Sequence, residues 1–486
     1  MGLFDALSSG IQAFRGAFSA RFSAAGGYDA IAPSNKRPRI AIQTGSNDEI
    51  LRQQDRSALI SVARKLRRNS VLLRWMTARH LDFVSAANFQ CQHEDRGFKK
   101  EMEGFIAWKS RRENCDLSGR FRFDKLRRLW EASRTIDGDI LPVFLRSGKL
   151  QSITGDRIRN QVDGDPATWV NGVRLRKDGS VSGYGVWKRL FGGGYEWERE
   201  LSAKDAFLHG YFDTTDQYRG ISPIAAACNG LVDIYGTMEL ARAKMKVGQI
   251  FALSITSAPN PIPGVPDIAG NATITEKKGQ NGETVKTTSV DFGAGPQLLP
   301  LKDGEKAEFL ESNSPGNGFL DLHEAEVAVC LKALDLPYSF FDESHTNFVG
   351  QLAALQLYKV ACRTKQDDNI ELAEWITDRW ITNGILDGEL TLPSGMTVLE
   401  VPYVWIPTGI PWWDKAKQIG GELAGISSGL GNPYLSCREM NEDFETNVDE
   451  TARALEYADG RLSKFGMRLR WDQPTPINVL PVVEEK

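Results

Sequence analysis

Residues 322–348 read LHEAEVAVCLKALDLPYSFFDESHTNF. Leu322, Ala325, Val329, Ala333 and Leu336 follow one another at steps of three and four, the period of one helix face. Pro337 stops that helix, because it has no backbone N–H and its ring clashes with the preceding turn. The pattern therefore predicts a loop over residues 338–347. Beyond it, Leu352, Leu355, Leu357, Tyr358, Val360, Trp375, Ile376 and Trp380 mark a long helix from 348 to about 382, whose length and aromatic content suit a buried scaffold.

Towards the N-terminus, residues 257–318 are rich in Gly, Pro, Asn and Thr, with Pro261, Pro263 and Pro266 close together. They read as loops with short strands. Before them Ile224, Leu231, Met238 and Met245 stand seven apart, and Cys228 and Tyr235 fill the intervening positions. Residues 221 to about 252 are thus a helix whose stripe wants a helical neighbour. Helical period from 98 to 134 gives way at Ile136-Asp137-Gly138-Asp139-Ile140 to a strand over 141–145, and short strands follow to about 212. Asp178-Gly179 supplies the positive φ of a tight hairpin turn, and Gly192 to Gly194 make a second turn.

Residues 48 to about 84 are helical and basic, with Arg64, Lys65, Arg67, Arg68, Arg74 and Arg79 among Leu59, Val62, Leu66, Val71, Leu72 and Trp75. The simplest reading of those charges is a solvated face. Residues 24–47 are a polar linker or wrapping arm. Leu3, Leu7, Ile11, Phe14, Phe18 and Phe22 form an amphipathic stripe before it, suited to docking on another protein. After the long helix come a Pro-rich stretch (401–413), helical stretches over 413–425 and 436–465, and an extended tail after Trp471.

A chain of 486 residues, 41% hydrophobic and with mean hydropathy −0.34, sustains two or three cores. Up to Trp130 there are 24 Lys and Arg against 13 Asp and Glu, a balance of +11; the remainder holds 35 against 50, or −15. That acidic remainder argues against tight grip on a duplex, which draws its affinity from many Lys and Arg on phosphates. The six cysteines form no C-x-x-C pair, so neither a zinc site nor a disulfide framework is indicated. No apolar run is long enough to span a bilayer, and Ala6 stands where a myristoylation signal needs Ser or Thr.

Catalytic chemistry finds no home. Gly148-Lys149 is followed by Leu150 and has Val143 where a phosphate loop needs its first glycine. Gly192 to Gly194 lack the following helix of a dinucleotide site. Asp137 and Asp139 could be imagined as carboxylates of a two-metal nuclease, but a turn before a strand accounts for them without metal. His93 and His345 have no partner at ligand spacing, and no activated nucleophile is present. The expectation is no catalytic residue, no metal and no cofactor.

The order of helix, Gly/Pro-rich excursion, helix, Pro-terminated loop and long helix resembles the stem, clip, stem, tunnel loop and following helix of phage portal proteins. In particular the chain resembles the lambda-type portal family in Gly27-Tyr28-Asp29-Ala30, in Asp137-Gly138-Asp139 before a strand, and in Asn171-Gly172-Val173 ahead of Asp178-Gly179 and Tyr184. Tyr218-Arg219-Gly220-Ile221-Ser222-Pro223, Leu301-Lys302-Asp303-Gly304-Glu305 with Ser314-Pro315, and Leu334-Asp335-Leu336-Pro337-Tyr338 are more specific. The resemblance runs from about 25 to 465. Phe83-Val84-Ser85-Ala86-Ala87 and Phe348-Val349-Gly350-Gln351 depart from the family pattern and mark a divergent member.

The resemblance implies an α+β portal fold: an N-terminal arm (1–47), a mixed α/β wing (48–222), a stem helix (223–256), a small α/β clip (257–318), a second stem helix (319–336), a tunnel loop (337–348), a long helix and wing return (349–418), and a helical crown with C-terminal tail (419–486). It further implies a homo-oligomeric ring of twelve subunits in the virion, at one capsid vertex, made in the bacterial host cytoplasm. Its partners would be the terminase large subunit, a head–tail connector or adaptor, the major capsid or scaffold protein, and non-specific double-stranded DNA in the channel, with no membrane. The loop would bring Tyr338, Ser339, Phe340, Phe341, Asp342, Glu343, His345 and Asn347 near DNA, and Lys244 and Lys246 could face it from the stem. An acidic wall lets a duplex slide. The alternatives are another head–tail connector or capsid structural protein, and a metal-dependent DNA-processing enzyme built on Asp137 and Asp139.

Overall fold

The computed structural model describes residues 45–162, 164–165, 167–249, 253–256, 272–278, 284–290, 306–309, 317–342, 348–407, 415–440, 442–462 and 464. The first helices are α1 (Asn47–Ile50), α2 (Gln53–Asn69) and α3 (Val71–Val84), followed by strand β1 (Ala87–Cys91). The basic stretch is not one helix. Ser70 turns extended between α2 and α3 and its hydroxyl accepts from Leu73 N, capping the new helix. Helices α4 (Arg96–Lys109), α5 (Arg112–Cys115) and α6 (Phe123–Asp137) come next.

Helix α6 runs on through Ile136 and Asp137, where strand period was expected, and ends at Gly138, whose φ of 97° only glycine adopts without strain. A side chain there would also lie 2.6 Å from the Gly220 carbonyl oxygen. Strand β2 (Asp139–Phe144) starts at once and forms the centre of an antiparallel sheet with β3 (Leu150–Thr154) on one side. A four-stranded antiparallel meander follows, of β4 (Trp169–Val170), β5 (Val173–Leu175), β6 (Val181–Arg189) and β7 (Tyr195–Ser202). Two of its three turns fall where Asp178-Gly179 and Gly192 to Gly194 predicted, with those glycines at positive φ; the third, Asn171-Gly172 between β4 and β5, also lies at positive φ and was not predicted. Strand β8 (His209–Gly210) returns to the other edge of β2.

A 3-10 turn, Pro223–Ala227, leads into α7 (Cys228–Gln249). The excursion contains β9 (Leu253–Thr256), which pairs with β12 (Lys306–Phe309), and the hairpin of β10 (Ala272–Lys278) and β11 (Thr284–Val290). Helix α8 (Asn317–Leu331) closes before Pro337, through a turn at Lys332–Leu334 and a left-handed Asp335. Leu336 N donates to Leu331 O at 3.1 Å, a helix-ending bond. The residue before proline disfavours helical ψ, so apolar period outlasts the helix itself. The long helix α9 spans Phe348–Leu386. Strand β13 (Tyr403–Pro407) pairs with β1, and α10 (Lys415–Ser427), α11 (Pro433–Glu439) and α12 (Phe444–Leu462) follow.

Among the described residues, three cores hold this α+β arrangement. One gathers Phe105, Phe123, Trp130, Ile376, Trp380 and Trp405 from α4, α6, α9 and β13. A second joins α2 and α3 to α7, α8 and α9 through Ala63, Leu73, Met76, Leu231, Leu331 and Tyr358. The third lies between the two sheets, with Leu141, Ile153, Ile158, Val173 and Val186. Among the described residues no helix is long and apolar enough to cross a membrane.

Candidate functional site

The chain after Pro337 forms a short 3-10 turn, Tyr338–Phe340, rather than an open loop from the outset. Its aromatic side chains find partners on two helices. The Phe340 ring lies 6.0 Å from Phe83 and 5.3 Å from Tyr358, and Phe83 and Tyr358 meet edge to face at 5.2 Å. Phe341 meets Trp75 at 5.9 Å while remaining 45% exposed, and Tyr338 lies 5.9 Å from Phe341. Edge-to-face pairs add about 0.5–1.5 kcal/mol each beyond burial. The start of the segment is therefore anchored to α3 and α9, with Ser339 half-buried beside Phe340. Lys365 on α9 adds an ion pair to Asp335 at 2.7 Å. Asp342 closes the described part; Glu343, His345 and Asn347 lie outside the described residues. Sequence periodicity gave no hint of Trp75 and Phe83, since an aromatic on an amphipathic helix reads only as core.

The helices that flank the segment are partly bare. Cys228, Leu231 and Ile234 of α7 are buried against α8, so closely that a Cβ on Gly230 would sit 2.9 Å from the Cys330 sulfur. Farther along α7 the expected stripe loses its neighbour: Tyr235 and Met245 are exposed, as are Val232 and Leu240. Leu320, Leu322 and Val329 on α8, and Leu357 and Val360 on α9, are exposed as well, the last three by 71–74%. Lys244 is exposed on α7, and Lys246 lies two residues on.

The motifs singled out in sequence meet in space. Asp139 takes a bidentate bond from Arg219, Nε to Oδ2 at 2.6 Å and Nη2 to Oδ1 at 2.9 Å, with both side chains fully buried. Arg219 also donates to the carbonyls of Ile158, Asn171 and Gly155, so all five of its N–H bonds are used. Asp137 belongs to another partner: Arg64 grips it at 2.7 and 2.5 Å and reaches Asp156 at 2.7 Å. Arg189 and Tyr195 complete the shell of Asp156. Although burial opposes it, Arg189 and Arg64 hold the Asp156 carboxyl below the ordinary aspartate range. Asp137 and Asp139 thus serve two separate guanidiniums, and neither offers the open oxygens that a two-metal centre needs. Arg64 also departs from the solvated face that its helix suggested.

A second polar network ties α9 to α6. Glu131, fully buried, accepts from His80 Nε2 at 2.8 Å, Tyr211 Oη at 2.8 Å and Asn369 Nδ2 at 2.9 Å. Arg134 donates to Asp368 at 2.7 Å and to His209 Nε2 at 3.2 Å, which makes that nitrogen an acceptor and His209 neutral. Burial above all holds both imidazoles below their ordinary pKa. Burial alone would raise Glu131, but Arg134 and then its hydrogen bond from His80 hold it well below the usual glutamate range.

The family model for phage portal protein, lambda family, matches residues 36–364, about two thirds of the chain. The match runs from before α1 into α9 and is narrower than the 25–465 span of the sequence resemblance. A relative from Halomonas phage phiHAP-1, named probable portal protein, is 24% identical over 354 residues, covering 67% of this chain and 64% of that protein. The chain therefore spans less than two thirds of that relative's length. A chain from the virion of the native gene transfer agent particle superposes with a TM-score of 0.46 at 14% identity, covering 77% of this chain and 91% of the other. A chain from the neck of the empty gene transfer agent particle gives 0.46 at 16% identity, covering 83% and 95%.

Proposed function

The chain belongs to the lambda family of phage portal proteins, and on that premise we propose that copies of it close into a ring at one capsid vertex, a conduit for DNA during packaging and ejection. The family match carries this reading, since it spans α7, the excursion, α8 and the start of α9 together. The uncovered apolar side chains of α7, α8 and α9 support it, because an apolar face left to water in one copy is satisfied by packing against the next. The stretches 48–222, 223–256, 257–318, 319–336 and 337–348 then act as wing, stem, clip, stem and tunnel loop. The terminase large subunit and the head–tail connector would dock on the ring, and capsid or scaffold protein would surround it. The ring holds twelve copies and works in the virion. No catalytic step is assigned to it.

In this reading the aromatic anchor at Phe340 fixes the base of the tunnel loop, while Phe341, Asp342 and residues 343–347 are presented to DNA. Lys244 and Lys246 offer loose, screened phosphate contacts that a sliding duplex breaks easily. Removing residues 343–347 tests this and leaves the anchor in place. Rings should still assemble by electron microscopy, and the full-length DNA packaged per particle should fall. Undiminished packaging by assembled mutant rings would show that the loop has no such part.

A further inference from the structure

A recess of about 770 Å³ stands apart from the loop and its anchor, where α2, α3 and α6 meet. The sequence singled out four of its arginines, Arg64, Arg67, Arg68 and Arg74, and the channel reading does not use them. Three of its cations are already matched: Arg64 to Asp137 and Asp156, Arg189 to Asp156, and Arg128 to Asp82 at 2.7 Å. Arg67, Arg68, Arg74 and Lys125 also line it, and none has a carboxylate within ion-pair distance among the described residues. Burial above all holds the Arg67 guanidinium below its ordinary pKa; Asp137 opposes this and Arg74 adds to it. Leu81, Leu129, Ala132 and Ile136 supply apolar walls, which strengthen any charge interaction made between them.

Arg67 and Arg74 repel each other beside this cavity, and the one carboxylate in its lining, Asp137, is already gripped by Arg64. We propose that this recess is an anion site for phosphate groups, carried by a nucleic-acid backbone or by a free phosphate compound. The planar guanidinium fork matches phosphate oxygens in pairs. Phosphate also concentrates charge within such a space better than an acidic peptide, which brings one charge at the end of each flexible side chain. The site lies outside the tunnel loop and does not depend on ring closure.

The test uses the purified full chain with two probes, a fluorescent DNA duplex and inorganic pyrophosphate. Arg68→Gln, Arg74→Gln and Lys125→Gln together remove three exposed cations of the recess. Lys100→Gln, Arg111→Gln and Arg122→Gln remove three equally exposed cations elsewhere. Thermal melts of both triple variants should match the parent. The recess triple should weaken binding at least about tenfold and, for the duplex, lower the slope of log K against log salt by about 2.7, while the second triple changes affinity less than about twofold. A parent chain that binds the duplex assigns the phosphate to nucleic acid; one that binds pyrophosphate alone assigns it to a free phosphate compound. Equal weakening by both triples, binding of neither probe, or displacement by polyglutamate as readily as by pyrophosphate would overturn the assignment.

Discussion

Asp139 and Arg219 stand 80 residues apart in sequence and share two hydrogen bonds in a fully buried setting. Each motif was legible as a string, the first as a turn before a strand and the second as a helix opening, but nothing in either predicted that they pair. The pairing follows from β8 and the Tyr218-to-Ser222 segment returning beside β2, with Gly138 and Gly220 in backbone contact. Breaking such a pair strands a buried charge, so Arg219→Leu should destabilise the fold by about 3–5 kcal/mol. Arg174→Leu, which breaks a half-exposed pair with Glu200, should cost less than about 1 kcal/mol. Urea unfolding midpoints compare the two, and equal costs would contradict a structural role for the buried pair.

Among the elements, the helices were the most legible. Apolar period found α7, α8 and α9, and turn chemistry found two of the three hairpins of the meander. Boundaries were decided by local caps that period does not see: Ser70 divides the basic helix, Gly138 lets α6 run past its expected end, and Asp335 stops α8 early. The link between α6 and α9 through Glu131 has a pH signature. His80 and His209 stay neutral in the fold, whereas the unfolded chain takes up protons below about pH 6.5. Stability from these imidazoles is complete above about pH 7 and falls as pH drops through 6.5, by about 1.4 kcal/mol per pH unit for each imidazole. Glu131, depressed in the fold, adds a further loss below about pH 4.5. Urea midpoints between about pH 8 and 5 should show the decline, with a shallower one in His80→Gln; a flat profile in the parent chain would rule out buried neutral imidazoles.

At the scale of the whole molecule, three cores account for the fold of one copy and leave the outer faces of α7, α8 and α9 apolar. In the proposed ring those faces meet neighbouring copies. Leu357→Asp with Val360→Asp places charges on side chains exposed by 74% and 71% in the single chain, so the subunit should stay folded and fail to close into rings. Native mass measurement beside a thermal melt distinguishes the outcomes. Rings of unchanged mass would mean that this face of α9 lies outside the subunit contact.

The sequence by itself determined the α+β class, the helix–excursion–helix–loop–helix order and the family resemblance, because period, proline and glycine act over a few residues and leave their mark in the string. Only the tertiary structure decided which distant charges pair, which aromatic side chains anchor the segment after Pro337, and which arginines remain unmatched in a recess. Those outcomes depend on approach between segments far apart along the chain, and burial gives a charge its partner or its penalty only after that approach has been made.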